Sequence, residues 1–331
     1  MSGVVRIAGQ GLAGTLLAWA LERRGRTFEL YDPGHKTSAS RVGAGLVNPV
    51  TGERWALAPG WAERATAAKS FYREIEAAWG VALVTDLRVR RAWRDEAEGR
   101  WVRAKVGRGE LAPWVTPAGL ERDAAWIEGA WRVDLPALLA AGRRRWRGQG
   151  CLREAALRSD ETEWAVTGSA RELGPVIWCT GAAETRVPDL RAVGGETLEL
   201  VVGGAAGELP PGVVRHDGVW VLPVGGGRAW VGASFIRDES ERLARREELR
   251  ARARRQLADR DWCELAVLAG YRMTTADRLP AAGWLPGREG REGILNGLGS
   301  KGVLWGPGLA EDWADRLGVN SVNQMDHGLH R

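Results

Sequence analysis

The first 32 residues alternate between short apolar runs and a glycine-rich turn, in a pattern typical of a βαβ unit. Val4–Ala8 has the length and the mainly apolar character of a buried parallel strand. Apolar residues then recur at helical spacing up to Gly25, and glycine is common just beyond a helix C-terminus. Residues 27–31, TFELY, have the character of a second strand, which ends at Asp32. The pattern therefore predicts a strand, a turn, a helix and a second strand.

The turn between this strand and this helix reads GQGLAG, at residues 9–14. Gly9 permits a tight turn, Gly11 lets backbone amides approach a pyrophosphate, and Gly14 lets the helix pack against the strand. The helix N-terminus would stabilise the phosphate charge, and Asp32 can accept both hydroxyls of an adenosine ribose. In this context an ordinary βαβ turn with chance glycines is the weaker interpretation, and an adenine dinucleotide is predicted. Its candidate ligands here are Gly9, Gly11, Leu12, Ala13, Gly14 and Asp32.

A second stretch of small and polar residues follows Asp32. Residues 38–45 read SASRVGAG, where a domain that binds only NAD would usually continue with another helix and strand. A small-residue loop at this point suits a longer cofactor, with more phosphate and ribityl chain to contact. FAD is therefore favoured over NAD. The loop contributes four further candidate ligands, Ser40, Arg41, Ala44 and Gly45.

The second half of the chain again joins apolar strands to small-residue turns. Residues 176–179 form an apolar run that ends in a Thr-Gly turn, and residues 293–296 form another that ends in GLGSKG. Between them, residues 194–236 alternate and cluster apolar positions between glycines, which predicts an antiparallel sheet. The candidate cofactor-binding residues of the two turns are Thr180, Gly181, Gly297, Gly299, Ser300, Lys301 and Gly302.

Composition narrows the class of protein. The chain has 331 residues, of which 44% are hydrophobic and 27% charged, as expected for one or two globular domains. Its three cysteines and four histidines lack metal-ligand spacing, so neither a disulfide framework nor a metal site is expected. No apolar stretch is long enough to predict a membrane-spanning helix. The apolar N-terminus mimics a secretory signal, but its glycines and the charged ERRGR that follows favour folded structure and a cytoplasmic protein.

The net charge of +5 is carried mainly by arginine and favours an anionic partner only weakly. Residues 237–261 are strongly charged and predict a helix with Glu and Arg at i, i+4 spacing. Because acidic residues interleave throughout, a solvated helix face explains this segment better than a nucleic-acid-binding arm does.

The order of these motifs resembles the D-amino-acid oxidase superfamily of FAD-dependent oxidoreductases, over most of the chain. GQGLAG with Asp32 matches the first motif of that family, and SASRVGAG matches its segment beside the pyrophosphate and flavin. The other matching segments are RVDLP (132–136), PVIWCTGA (175–182), VLP (221–223), VGAS (231–234), DRLP (277–280) and GLGSKG (297–302).

The resemblance implies an α/β fold with two interleaved parts. One is a Rossmann-like FAD-binding domain, a parallel sheet with helices, expected at residues 1–80, 131–188 and 265–318. The other is an α+β substrate domain with an antiparallel sheet, expected at 81–130 and 189–264. Residues 319–331 are expected to form a polar tail.

The resemblance also implies a reaction, oxidation of a C–N bond of a small amine or amino acid by hydride transfer to flavin N5. Arg272 stands at the family position that binds a substrate carboxylate, and the alternative is an ion pair with Asp277. Trp220 replaces a tyrosine common in the substrate sheet, and Lys301 is either a charge beside the flavin or an exposed loop residue. Gly270 replaces a cysteine that links flavin in the sarcosine-oxidase type, and SASRVGAG lacks a histidine for the other linkage, so non-covalent FAD is expected.

Two further functions stay open. Residues 272–280 and GLGSKG are more similar to the oxidase domain of a bifunctional enzyme that acts on carboxymethylaminomethyl-uridine in tRNA than to glycine oxidase. That similarity implies tRNA as an alternative partner to a small molecule. The third function is that of a flavoprotein that binds FAD without turnover.

Overall fold

The computed structural model describes residues 3–34, 38–58, 60–157, 173–204 and 207–318, so the predicted tail at 319–331 lies outside the described residues. Within these ranges the chain forms a six-stranded sheet, an eight-stranded sheet and a two-stranded hairpin. The strands are β1 (Val4–Ala8), β2 (Phe28–Tyr31), β3 (Leu46–Val47), β4 (Val50–Thr51), β5 (Ala56–Leu57), β6 (Val84–Ala92), β7 (Ala124–Val133), β8 (Leu152–Arg153), β9 (Leu173–Trp178), β10 (Arg191–Gly203), β11 (Val213–Asp217), β12 (Val219–Gly225), β13 (Arg228–Gly232), β14 (Asp261–Thr274), β15 (Ala281–Trp284) and β16 (Glu292–Asn296). The helices are α1 (Leu12–Arg23), α2 (Ala39–Val42), α3 (Trp61–Trp79), α4 (Glu96–Gly107), α5 (Leu135–Gly148), α6 (Arg242–Gln256) and α7 (Gly302–Gly318).

The six-stranded sheet has the order β15-β16-β9-β1-β2-β8, and all its neighbours run parallel except β15 and β16. The βαβ unit predicted from the first 32 residues is confirmed, since α1 joins β1 to its parallel neighbour β2. Parallel strands end at one edge of a sheet, so the turns after β1, β9 and β16 lie side by side. The predicted glycine turns at residues 9, 180 and 297 therefore meet at a common edge, although they are distant in sequence.

Helices α1, α3, α5 and α7 bury a common core against one face of this sheet. Trp146 and Trp313 are almost completely buried there, and the indole of Trp146 donates a 2.9 Å hydrogen bond to Oε2 of Glu22. A smaller apolar cluster around Trp178 and Leu285 covers other residues of the sheet. Burial of each large side chain stabilises the folded state by roughly 1.5–3 kcal/mol, so this core fixes the sheet edge that carries the turns.

The eight-stranded sheet has the order β14-β10-β13-β12-β11-β6-β7-β3. An antiparallel sheet was predicted for residues 194–236, and β10 to β13 confirm it, but the sheet also recruits β6, β7 and β14. One pair, β6 with β11, is parallel. This is possible because the chain between them passes through the other sheet, which supplies the long crossover that parallel strands need.

The boundary expected at residue 265 falls inside a single strand. β14 pairs with β10 along its length, so residues 265–274 belong to the eight-stranded sheet, although they were assigned to the FAD-binding part. The physical reason is a continuous ladder, which a sequence pattern of apolar residues does not reveal. The other domain boundaries stay a prediction.

The charged segment forms a helix shorter than the one predicted over 237–261. α6 runs from Arg242 to Gln256 and buries Leu249 and Ala253, while Asp261 already begins β14. Arg242 and Arg246 both donate to the buried carboxylate of Glu196. None of the described helices combines the length and apolar character needed to cross a bilayer.

Candidate functional site

A cavity of about 1780 Å³ is lined by residues of both large sheets. It brings together the turns at the edge of the six-stranded sheet and one face of the eight-stranded sheet. The predicted site residues that line it are Gly9, Gly11, Leu12, Ala13, Asp32, Ser40, Arg41, Ala44, Gly45, Thr180, Gly181, Trp220, Arg272, Gly299, Ser300, Lys301 and Gly302. Two predicted ligands, Gly14 and Gly297, do not line the cavity. Gly14 instead allows α1 to pack closely on β1, and Gly297 makes a tight turn after β16.

The first glycine turn is shaped by close backbone approaches. Gly9 has a φ of 100°, and a Cβ there would lie 2.5 Å from the carbonyl oxygen of Cys179 on the neighbouring strand. A Cβ at Gly14 would overlap the carbonyl oxygen of Gly9, because the first turn of α1 packs directly on the end of β1. Gly11 and Leu12 are thereby held at the cavity wall, with the N-terminus of α1 directed to the cavity.

Ser40 connects the second small-residue loop to the first turn. Its Oγ accepts a 2.9 Å hydrogen bond from the backbone N–H of Leu12. Since the hydroxyl accepts this bond, its own proton is available to donate to an anion. Gly45 has a φ of 69°, and a Cβ there would overlap the carbonyl oxygen of Val133, so the loop needs glycine at this point.

Asp32 is buried at the end of β2 and already has several partners. Its Oδ2 accepts from the N–H of Gln10 at 2.8 Å, and its Oδ1 accepts from the N–H of Gly34 at 2.7 Å. Arg143 of α5 donates to the same Oδ1 at 2.9 Å and to Oε1 of Gln10 at 3.0 Å. The carboxylate is thus held in a fixed orientation at the cavity wall, and Arg143 is a residue that the sequence reasoning missed.

The two later turns are tied to each other and to β14. The side-chain amide of Asn296 donates to the carbonyl oxygen of Gly181 at 3.1 Å. The N–H of Gly299 donates to the carbonyl oxygen of Met273 at 3.0 Å. Gly297 has a φ of 67° and makes the turn between β16 and this loop. The final glycine loop is therefore hydrogen-bonded to the strand that carries Arg272.

These residues fit FAD. The cavity extends from the buried carboxylate of Asp32, which can bind a ribose, to the glycine loop at 297–302. The N-termini of α1 and α7 both reach this cavity. Glycines at the cavity wall occupy positions where a Cβ would collide with neighbouring atoms. At Gly270 a Cβ would lie 2.8 Å from Cγ2 of Val42 and 3.2 Å from Cα of Ala39, so a cysteine there would require α2 to shift. This packing supports the expectation of non-covalent FAD.

Arg272 lies on β14 with its guanidinium directly over Gly195 of β10. A Cβ at position 195 would overlap Nη2, and the guanidinium stacks on the ring of Phe235 at 4.4 Å. Burial lowers the pKa of Arg272, and no described carboxylate opposes this effect. Asp277 is exposed and accepts instead from the N–H of Leu279 at 2.9 Å. The alternative interpretation, an Arg272–Asp277 ion pair, is therefore wrong.

Trp220 and Lys301 differ in their surroundings. Trp220 is half-buried, and its ring lies across Gly232, where a Cβ would be 2.6 Å from Cζ2. The oxygen Oγ1 of Thr197 is 2.9 Å from the same Cβ position. Gly232 thus makes room for an indole on the cavity floor. Lys301 lines the cavity and is exposed, immediately before α7.

Arg91 and His216 also line the cavity, and the sequence reasoning missed both. They are paired positions of the parallel strands β6 and β11. Burial lowers the pKa of Arg91 to about 10 and, together with the charge of Arg91, lowers the pKa of His216 to about 4. No local sequence signal joins two residues that are 125 positions apart, so only the fold reveals the pair.

Comparison with known proteins agrees with this fold. The family model described as FAD dependent oxidoreductase (DAO) matches residues 5–316. The chain belongs to this DAO family of FAD-dependent oxidoreductases, and FAD is its cofactor.

Particular relatives match nearly the whole chain. A tRNA 5-methylaminomethyl-2-thiouridine biosynthesis bifunctional protein MnmC from Maricaulis maris is 32% identical over 344 residues, which cover 98% of this chain and 54% of that protein. The protein of the same name from Methylibium petroleiphilum is 27% identical, over 90% of this chain and 54% of that protein. The chain therefore spans about half the length of these relatives.

Solved structures are similar in fold. Iminodiacetate oxidase from Chelativorans sp. BNC1 has a TM-score of 0.73 at 23% identity, with 97% of each chain covered. Glycine oxidase from Geobacillus kaustophilus has a TM-score of 0.71 at 20% identity, with 95% of this chain and 94% of that chain covered.

Proposed function

We propose that this protein oxidises a C–N bond of an amine that carries a carboxylate, such as an amino acid or an N-substituted amino acid. The observation that carries the proposal is Arg272, a half-buried cation without a described carboxylate partner, in the same cavity as the glycine turns. An uncompensated buried charge destabilises a fold unless a ligand supplies the opposite charge. A substrate carboxylate is such a ligand, and the guanidinium can bind it through two parallel hydrogen bonds.

Arg272 is held in a fixed position, which suits an anchor. Stacking on Phe235 and contact with Gly195 restrict its guanidinium, so little side-chain entropy remains to be lost on binding. The hydrogen bond between Gly299 and Met273 links this strand to the final glycine loop. The anchor and the loop therefore keep a constant separation, as positioning of a substrate carbon requires.

The chemistry that bound FAD supplies is acceptance of a hydride from the carbon beside the amine, which leaves an imine that water hydrolyses. The chain supplies binding and electrostatics. The residues that would hold the cofactor are the glycine turns, Ser40, Asp32 and the loop at 297–302. Trp220 would cover the substrate from the sheet side, and Lys301 with the N-terminus of α7 would favour negative charge nearby.

The direct test is an anaerobic titration of the purified FAD-loaded protein with a panel of amino acids and N-substituted amino acids. We expect one class to bleach the flavin absorbance and to release the corresponding carbonyl product. Arg272→Met should weaken binding of carboxylate substrates and inhibitors about tenfold or more, with FAD still bound. A carboxylate affinity that Arg272→Met leaves unchanged would reject the anchor. A flavin that no amine bleaches would favour the non-catalytic alternative.

The sequence relatives favour a second candidate, oxidation of a carboxymethylaminomethyl group on a tRNA wobble uridine. The relatives named for tRNA 5-methylaminomethyl-2-thiouridine biosynthesis match 90–98% of this chain. That substrate would also present a carboxylate to Arg272. The arginines of α6 are a poor RNA surface, because Arg245 and Arg252 are paired with Glu248 and Arg242 and Arg246 with Glu196.

Salt dependence separates the two candidates. Binding of tRNA through several phosphates should weaken steeply as salt rises, whereas a small carboxylate held by one arginine should respond far less. Filter binding of unmodified tRNA between low and physiological salt makes the comparison. An absence of tRNA binding at low salt would remove the second candidate.

A further inference from the structure

A row of paired residues crosses the cavity-facing side of the eight-stranded sheet. Thr197 pairs with Gly232, Gly232 with Trp220, Trp220 with His216, and His216 with Arg91. Directly paired residues of neighbouring strands share a face, and all five line the cavity. The row therefore forms a continuous floor from β10 to β6.

Arg91 closes the far end of this row as a buried guanidinium. It is 8% exposed, stacks on the ring of Trp55 at 4.0 Å and donates to the carbonyl oxygen of Gly52 at 2.8 Å. Glu98 offsets part of its burial cost from a distance, but that carboxylate is already bonded to Trp55 and to Arg94. The net effect of burial is unfavourable for the charge, as the lowered pKa of Arg91 shows.

Two more arginines line this end of the cavity, and both have carboxylate partners. Arg252 lies with its guanidinium over Gly218 and is paired with Glu248, and Arg94, just after β6, is paired with Glu98 and Glu53. An anion at this end of the cavity would offset the cost of burying the Arg91 guanidinium.

We propose that the end of the cavity lined by Arg91 and His216 binds a second anionic group of the substrate, a carboxylate or a phosphate. The inference rests on the proposed function, because the first anionic group is the carboxylate held by Arg272. The substrate class is then an amine with two separated negative charges. Arg272 and Arg91 have similar surroundings, since each guanidinium stacks on an aromatic ring and lines the same cavity.

The separation of the two arginines sets the shape of this ligand. The guanidinium of Arg272 lies over Gly195 on β10, and Arg91 is on β6, four strand steps away. Neighbouring strands are about 4.8 Å apart, so these strands lie roughly 19 Å apart along the sheet. Even with long side chains reaching inward, one ligand meets both cations only if several bonds separate its charges. The second anion is therefore carried on an extended arm.

The test compares ligands of equal length with one or two anionic ends. The FAD-loaded protein is titrated with hexanoate, octanoate, adipate, suberate and 6-phosphonohexanoate, and binding is followed by calorimetry and by the flavin absorbance change. We expect at least one dianion to bind about tenfold more tightly than the monocarboxylate of the same length. A larger advantage for the phosphonate would identify a phosphate as the second group, and a larger advantage for a dicarboxylate would identify a carboxylate.

Single substitutions of arginine test which residue makes dianions bind more tightly than monocarboxylates. Arg91→Met should remove it and leave monocarboxylate affinity within about twofold, and Arg91→Lys should retain part of it. Arg88→Met is the matched control, because Arg88 lies on the same strand, carries the same charge and stacks on Trp126 at 4.6 Å outside the cavity lining. It should leave the dianion advantage unchanged.

Several outcomes would overturn the inference. One is that no dianion binds the unsubstituted protein more tightly than the monocarboxylate of equal length. This measurement does not depend on the folding of any variant. Another is an advantage that survives Arg91→Met. Binding of a stem-loop RNA that Arg91→Met weakens, without any advantage for small dianions, would replace the small ligand by an RNA phosphate. Arg272→Met tests the proposed function separately, since loss of that anchor alters monocarboxylate binding as well.

Discussion

The guanidinium of Arg272 lies directly over Gly195, so that a side chain at position 195 and the guanidinium cannot occupy their present positions together. Both residues are in the long antiparallel pair of β10 and β14. Arg272, the proposed carboxylate anchor, can therefore take this position only because residue 195 on the neighbouring strand is glycine.

Gly195→Ala should displace Arg272 without removing it. We expect carboxylate affinity to fall about tenfold, because a shifted guanidinium no longer offers both hydrogen bonds to one carboxylate. FAD should stay bound. The matched control is Gly203→Ala on the same strand, where a Cβ would meet nothing within 4 Å. Titration of both variants with a monocarboxylate makes the comparison, and equal affinities would contradict the prediction.

Gly14→Ala should disrupt the packing of α1 on β1. The added Cβ would overlap the carbonyl oxygen of Gly9, which is backbone and cannot rotate away. We expect the free energy of unfolding to fall by about 1–3 kcal/mol, as is typical of overpacking, and FAD binding to weaken. Gly308→Ala in α7 is the control. A Cβ there is in open space, so alanine should stabilise the helix by about 0.5–1 kcal/mol. Urea unfolding measures both, and a stable Gly14→Ala protein would count against the packing role.

Asp32→Asn should weaken FAD binding and also lower stability without cofactor. The substitution removes the charge that faces Arg143 and leaves a largely buried guanidinium with weaker partners. We expect the FAD dissociation constant to rise about tenfold or more and the cofactor-free protein to lose about 1–3 kcal/mol. Glu29→Gln changes the same charge on the same strand, where Glu29 pairs with a more exposed Arg153. By flavin fluorescence and urea unfolding, Glu29→Gln should have nearly the same FAD affinity and stability as the unsubstituted protein.

Glu196→Gln should reduce stability in a pH-dependent way. Burial acts to raise the pKa of Glu196, but hydrogen bonds from Arg246 and Arg242 outweigh it and the pKa is lowered. A lowered pKa in the folded state means that the carboxylate contributes stability above the ordinary glutamate pKa and loses it as pH falls through the lowered value. The variant should therefore be about 3–5 kcal/mol less stable near pH 7.

The deficit of Glu196→Gln should shrink as pH falls below the ordinary glutamate pKa, because the unsubstituted carboxylate becomes protonated and loses its ion pairs. Urea unfolding from pH 7 to pH 3 measures the difference. Glu241→Gln, at an exposed pair with Arg245, should show little change across this range. A deficit that is independent of pH would mean that shape, not charge, accounts for the role of Glu196.

The predictions from sequence succeeded where the signal is local. The strand, glycine turn and helix at residues 4–23 are contiguous, so each glycine can be interpreted from its neighbours. The sequence could not show that Arg272 avoids Asp277, because that depends on contacts with Gly195 of β10 and with Phe235 after β13. Arg91 and His216 escaped notice for the same reason, since parallel pairing of β6 and β11 is a long-range contact.

The cavity wall is assembled from the two extremes of the described chain. The turn after β1 is made first and the start of α7 last, with β9 hydrogen-bonded between their strands. On a ribosome, a growing chain therefore exposes the dinucleotide turn long before the opposite wall emerges. Capture of flavin by the complete cavity therefore has to wait until α7 has emerged from the exit tunnel.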